Sequence, residues 1–105
     1  MKNSVITEIV KFSIPGTTSE EELKANVNQL NEFQERMDGY INAELVKNIS
    51  EDTWRIIYHY TSFEQVKIIG QKLKSSGEFR DFMQQIIPES LEISFHNQVI
   101  TAGVR

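Results

Sequence analysis

Hydrophobic and polar positions divide the chain into alternating strand-like and helix-like stretches. Residues 5–14 (VITEIVKFSI) are rich in β-branched and aromatic side chains and run into Pro15-Gly16, a turn signal, so a strand is expected there. Thr17 to Ser19 then offer helix caps: Ser19 with Glu22, or Thr18 with Glu21, makes a capping box. Glu20, Glu21 and Glu22 put negative charge in the first turn, where the helix dipole favours it. Leu23, Val27, Leu30, Phe33 and Met37 follow at spacings of four, three, three and four, one apolar stripe that ends at Asp38, with Gly39 as the residue beyond the C-cap. Residues 40–47 (YINAELVK) predict a second strand, 48–52 a polar turn, and 53–60 (TWRIIYHY) a third strand, together an antiparallel hairpin. Ser62 opens a second helix with Gln65 as its capping partner, and Phe63, Val66, Ile69 and Leu73 form its stripe. Gly70 weakens that helix by about 1 kcal/mol relative to Ala, and Ser75-Ser76-Gly77 bends or interrupts it. Phe79, Phe82, Met83 and Ile86 resume the helical period until Pro88, and residues 91–100 (LEISFHNQVI) predict the last strand.

The order β-α-β-β-α-β is a duplicated unit. With right-handed crossovers it predicts an α+β domain of ferredoxin-like type, spanning residues 1–105: a four-stranded antiparallel sheet with helices on one face. A sheet with one wet face alternates apolar and polar residues, and these strands do not alternate cleanly. Strand one has Val5 and Ile9 on one face and Ile6, Val10, Phe12 and Ile14 on the other. Strand two sets Ile41, Ala43 and Leu45 against Tyr40 and Val46. Strand three has Trp54, Ile56, Tyr58 and Tyr60 on one face, with Ile57 beside His59 on the other. Two apolar faces call for a second cover, so a homodimer packed sheet against sheet is expected.

Composition narrows the classes. A chain of 105 residues, 39% apolar and 25% charged, is ordinary for a soluble globular domain. Its net charge of −4 argues against nucleic-acid binding, where a basic face supplies most of the affinity. The absence of cysteine removes disulfides, thiolate catalysis and thiolate metal sites, and suits a reducing compartment. No apolar run approaches a membrane helix, and residues 1–7 carry no signal-peptide core, so the expectation is a cytoplasmic protein with no membrane partner. There is no Gly-rich phosphate loop, no G-x-S-x-G elbow and no H-E-x-x-H. Glu20 to Glu22 read as a helix start, and two histidines on different strands make no metal site, so no metal is expected.

Few residues remain as candidates for chemistry. Glu8 interrupts an apolar strand. Pointing between sheet and helices, it would have its pKa raised by desolvation and could act as a general base near neutral pH. Pointing outward, it is a surface carboxylate able to pair with Lys11 or Lys47. A one-residue slip in strand register decides between the two. His59 alternates away from Tyr58 and Tyr60, which puts it with Arg55 and Ile57 as a hydrogen-bonded interface residue; the competing reading is an acid or base. His96, with Ser94 and Gln98, reads as exposed. Trp54, Tyr58 and Tyr60 share one face, either as core or as a stacking surface for a flat ligand.

Over residues 5–95 the sequence resembles the dimeric α+β-barrel superfamily. Gly39-Tyr40-Ile41, Glu44-Leu45, the run Thr53 to Tyr60, and Ser62 with Glu64 resemble its antibiotic biosynthesis monooxygenase-like branch. Ile9-Val10 with Phe12 before Pro15-Gly16, then Ser19-Glu20-Glu21, and Asn48-Ile49-Ser50 resemble its stress-responsive A/B-barrel branch. Polyketide-cyclase members of the latter use histidines on strands one and three and on the second helix, where this chain has Glu8, Trp54 and the Glu78-Phe79 region. Haem-degrading members of the former use a Trp and a His on the second helix, which has neither here; Ile69 falls where that Trp would stand. The resemblance therefore implies cofactor-independent oxygenation of a small apolar aromatic molecule of polyketide or quinol type. Glu8 would be base or anchor, with Trp54, Tyr58, Tyr60 and Ile69 as walls. The alternatives are a non-catalytic stress-responsive or ligand-binding protein of the same fold and a regulatory ligand-sensing module, because fold does not choose function.

Overall fold

The computed structural model describes residues 5–103. Four strands, β1 (Ile6–Phe12), β2 (Tyr40–Lys47), β3 (Trp54–Tyr60) and β4 (Glu92–Asn97), form one antiparallel sheet in the order β2-β3-β1-β4. Helices α1 (Glu20–Glu35), α2 (Phe63–Lys74) and α3 (Gly77–Gln85) cover one face, and a 3-10 turn at Pro88–Ser90 leads into β4. This is the expected ferredoxin-like arrangement. The expected interruption of the second helix divides it into α2 and α3, with the Ser76 hydroxyl capping α3 by accepting from Phe79 N–H.

The core lies between sheet and helices. Ile6, Val10 and Phe12 of β1 and Trp54, Ile56, Tyr58 and Tyr60 of β3 pack against Leu23, Val27 and Leu30 of α1, Val66 and Ile69 of α2, and Phe82 and Ile86 near the end of α3. Phe12 and Phe82 meet edge to face with ring centroids 5.1 Å apart. The opposite face of the sheet carries Thr7, Ile9 and Lys11 on β1 and Arg55, Ile57 and His59 on β3, all half-buried. The sheet therefore alternates more cleanly along its central strands than the two-faced apolar pattern predicts.

Three local expectations need correction. First, α1 begins at the capping box of Ser19 and Glu22 but stops at Glu35. Phe33 and Met37 are left half-buried, and Gln34 takes the core position, 0% exposed. Gly39 lies beyond the C-cap Arg36 with φ +94°. Its requirement for glycine is steric as well as conformational: a Cβ there would stand 2.5 Å from the Gln65 side chain. Second, an irregularity between Tyr40 and Asn42 inserts a residue into β2, so Tyr40 faces inward with Ala43 and Leu45 while Ile41 is exposed. Third, β4 ends at Asn97 instead of Ile100. Asn97 pairs with Ile6 at the start of β1, and after the bond from Gln98 N–H to the Val5 carbonyl (2.8 Å) the chain runs past its partner strand, leaving Val99 and Ile100 exposed.

The two glycines next to these packing surfaces should respond oppositely to alanine. Gly39→Ala meets both a positive φ and a close contact, and is expected to lower unfolding free energy by about 2 kcal/mol or more. Gly70→Ala, where nothing lies within 4 Å, is expected to raise it by up to about 1 kcal/mol through helix propensity. Urea denaturation of both variants measures each effect.

Candidate functional site

Glu8 occupies the middle of β1, a central strand. Antiparallel pairing sets it opposite Tyr58 of β3 and Phe95 of β4, with Ile6 opposite Tyr60 and Val10 opposite Ile56. That register turns Glu8 to the inner face, toward the helices. Glu8 lines a small, partly open cavity of about 50 Å³, walled by Leu30 of α1, Tyr58, Leu73 of α2, Phe79 of α3, and Leu91 and Ile93 leading into and along β4. Neither lysine considered as a partner reaches it. Lys11 belongs to the other face, and Lys47 lies over the Trp54 ring, 5.2 Å from its centroid. Among the described residues the ion pairs are those of Lys24 with Glu20 and Glu21.

Burial without a cation pushes the Glu8 carboxyl up to about 7, and a hydrogen bond from Tyr60 acts in the opposite direction. The same burial, reinforced by the Glu8 charge, raises Tyr58 and Tyr60 so far that both remain neutral phenols. Tyr40 is raised to about 12 by burial and by the charge of Glu35. Its hydroxyl donates to Asn31 Oδ1. The Tyr60 hydroxyl lies 2.8 Å from Gln34 Oε1, and Gln34 Nε2 donates to the Leu30 carbonyl at 3.3 Å. A carboxyl that titrates near neutrality, beside neutral hydroxyls and apolar walls, can take a proton from a weakly acidic ligand and return it.

The structure brings only some of the predicted site residues together. Glu8 and Tyr58 line one cavity, and Tyr60 is the next residue on the same face of β3. Trp54 is buried at the far end of β3, opposite Phe12 and outside that cavity. Ile69 is buried under α2, where it borders a separate surface hollow with Arg36, Met37 and Gln65. His59 is on the outer face, its Nδ1 3.1 Å from Thr7 Oγ1, and His96 is exposed with Nε2 2.8 Å from Ser94 Oγ. Sequence reasoning missed Gln34, Asn31 and Tyr40. The signal for Gln34 was present: positions 23, 27, 30 and 34 continue the stripe at spacings of four, three and four. A larger hollow of about 710 Å³ between α1 and α3 is an open groove with Glu32, Arg36, Glu78 and Asp81 on its walls. Among the described residues no three His, Cys, Asp or Glu cluster as metal ligands, and no helix is long and apolar enough to cross a membrane.

At the level of sequence no family profile and no curated protein matches the chain. Solved structures do match its geometry. The cofactor-independent oxygenase SnoaB from Streptomyces nogalater superposes with a TM-score of 0.75 at 11% identity, over 96% of this chain and 99% of that one. A candidate antibiotic biosynthesis monooxygenase from Nitrosomonas europaea gives 0.72 at 11% identity, over 98% of each chain. Another from Caulobacter crescentus gives 0.72 at 12%, over 93% of this chain and 92% of that one. The chain shares the ferredoxin-like α+β fold of these proteins. Within this fold, the Glu8 cavity lies between the sheet and its helix layer.

Titration of Glu8 should be visible in stability. The carboxyl ionises near 4.5 when unfolded and about 7 when folded, so between those values the native state holds the extra proton. Stability should therefore fall as pH rises from about 4.5 to about 7 and then level off, by about 3 kcal/mol in all. Glu8→Gln, neutral throughout, should flatten that part of the profile in denaturant unfolding measured across the pH range.

Proposed function

We propose that the protein is a cofactor-independent oxygenase of a small, apolar, hydroxylated aromatic molecule, with Glu8 as its acid–base residue. The observation that carries this reading is the lone, half-buried carboxyl lining an apolar cavity between sheet and helices, raised to about 7 with no cation beside it. The fold likeness to SnoaB is consistent with it.

Such a site selects its ligand by chemistry. No cationic side chain is among the cavity walls, so an anionic ligand would meet an uncompensated carboxylate, whereas a phenol or enol can donate its proton to Glu8. The resulting oxyanion makes the ring carbon electron-rich enough to reduce dioxygen. For an anthrone-type methylene, the carbon–oxygen bond forms first to give a hydroperoxide. Loss of water then leaves the carbonyl, so that CH2 and O2 become C=O and H2O. Glu8 returns its proton as the oxyanion is quenched, and the protein supplies no redox group.

The cavity of about 50 Å³ holds only a few waters at roughly 10–15 Å³ each. A ring system therefore requires Phe79, Leu91 and Ile93 to move aside. These three stand where the helix layer leaves β4 partly uncovered, and Ile93 is 48% exposed. The small volume is also the observation that favours the second reading, a non-catalytic protein of this fold.

We further propose a homodimer packed through the outer sheet face. Ile9 and Ile57 pair across the centre of that face, with Lys11, Arg55, Glu44 and Glu92 around them as complementary charges. Ile57→Glu should convert a dimer into a monomer in sedimentation velocity; a monomeric wild-type protein overturns the assembly.

The functional reading is tested by oxygen uptake with anthrones and naphthoquinols, alongside a thermal-shift screen of the same compounds. Glu8→Gln is expected to lower turnover by at least about 100-fold, the usual scale of general acid–base catalysis, without lowering the melting temperature. Undiminished turnover in Glu8→Gln removes Glu8 from the chemistry, and a panel with neither binding nor uptake favours the non-catalytic reading.

A further inference from the structure

The walls of the Glu8 cavity are unequal. Val10, Leu30, Ile56, Tyr58 and Phe82 belong to the buried core, whereas Ile93 is half exposed on β4. That strand is an edge of the sheet and pairs with β1 alone. The cavity therefore ends at the sheet edge, one strand away from Glu8, and neighbouring strands are only about 5 Å apart. A volume of about 50 Å³ does not enclose an aromatic ring together with its substituents. A ring whose hydroxyl reaches Glu8 keeps its far side beyond Ile93, outside the core.

What lies outside is apolar. Ile93 and Phe95 stand on the same face of β4 as the core, and Phe95 is directly opposite Glu8 across the β1–β4 ladder. Past Phe95 a second hollow of about 340 Å³ is formed by Ile6, Phe63, Phe95, His96 and Asn97. Phe63, at the start of α2, is 45% exposed and meets the Phe95 ring edge to face. From Ile93 to Asn97 is four residues of extended chain, about 13 Å. Half-exposed apolar side chains in one line, leading from a cavity into a hollow, have the form of a ligand groove, unlike singly scattered surface hydrophobics. The chain's own apolar tail does not fill it. After Gln98 binds the Val5 carbonyl, Val99 and Ile100 stay exposed themselves. The homodimer proposed above uses the opposite face of the sheet and leaves the shelf open.

We infer that this shelf is a track for an apolar tail, and that the ligand of the site is an amphiphilic phenol: one hydroxylated ring at Glu8, with an alkyl chain laid along β4 over Ile93 and Phe95 toward Phe63. This rests on the reading of the Glu8 cavity as the ligand site. The cavity selects the head by its carboxyl and its small size, and the shelf selects the tail by area alone, so tail length rather than tail chemistry sets affinity. The far end of the track is polar, with His96 and Asn97, so a tail that outruns Phe63 gains nothing more.

The test is isothermal titration calorimetry of the full chain with resorcinols bearing a methyl, pentyl or nonyl chain meta to both hydroxyls, each below its micellar concentration. A tail covered on one side should gain about twofold in affinity per methylene, half the free-energy gain of full burial, so the pentyl member should bind roughly 15-fold more tightly than the methyl one. Phe63→Ala and Phe95→Ala, at half-exposed positions, should each lower the nonyl-to-methyl affinity ratio by at least about threefold. A flat series in the wild type, or a ratio that neither variant lowers, overturns the inference. So does either variant turning a dimer into a monomer in sedimentation velocity, which means that a second copy covers the shelf. If neither variant folds, NMR of phenylalanine-labelled wild type decides. The Phe63 ring signals should shift with the nonyl member and stay in place with the methyl one, and rings unmoved by the nonyl member overturn the inference. Binding of the methyl member without any gain from the tail sinks the track alone, whereas binding by no member sinks the Glu8 site with it. Calorimetry needs no turnover, so a failed oxygen-uptake assay and a flat series are separate results.

Discussion

The pairing of β1 with β3 carries the rest of the structure, because it decides what the inside of the protein contains. With Ile6 opposite Tyr60, Glu8 opposite Tyr58 and Val10 opposite Ile56, every second residue of the two central strands is handed to the helix layer. Seven of those positions bury apolar or aromatic side chains, and the eighth sets a carboxyl among them. A slip of one residue would send Glu8 to the outer face and bring Thr7, Ile9 and Lys11 inward. Burial of Val10, Phe12, Trp54 and Ile56 prevents it, since each would lose its apolar environment in the same step.

A buried carboxyl is costly unless it is neutral or well partnered. On the same inner face Tyr60 is buried and Tyr40 half-buried, and two polar side chains of α1 accept from their hydroxyls: Gln34 from Tyr60 and Asn31 from Tyr40. The polar cluster is therefore the place where α1 docks on the sheet with a defined rotation as well as an apolar contact. Asn26 extends the same habit along the helix, donating to the Glu78 carbonyl and so tying α1 to the first turn of α3. Polar residues on the buried face of α1 specify how it lies, while Leu23, Val27 and Leu30 supply most of the burial.

The helix layer does not cover the sheet evenly. It is tight over β1 and β3 and thin over β4, where Ile93 and Phe95 are 48% and 46% exposed although they face the same side as the core. Phe63 at the start of α2 meets Phe95 with ring centroids 5.5 Å apart, and is itself partly exposed. The cavity beside Glu8 lies at this thin margin, so its walls on that side are the side chains with the least packing to hold them.

Local signals determined much of this protein without help from tertiary structure. The capping boxes, the turn at Pro15-Gly16, the break at Ser75 to Gly77 and the apolar periodicities were enough for the order of elements and for the ferredoxin-like arrangement, because caps, turns and periodicity act over a few residues. They also singled out Glu8 as the residue out of keeping with its strand. They did not decide which way Glu8 points, since both faces of β1 carry apolar residues and only pairing with β3 and β4 chooses between them. Nor did they reveal that Trp54 and Ile69 lie away from the Glu8 cavity: a shared face on a strand says nothing about distance along it, and a helix position says nothing about which hollow it borders. Gln34 shows the limit most clearly. Its spacing from Val27 and Leu30 was visible, but a polar residue on an apolar stripe is recognised as core only when the tertiary structure supplies the partner that makes its burial affordable, here the hydroxyl of Tyr60.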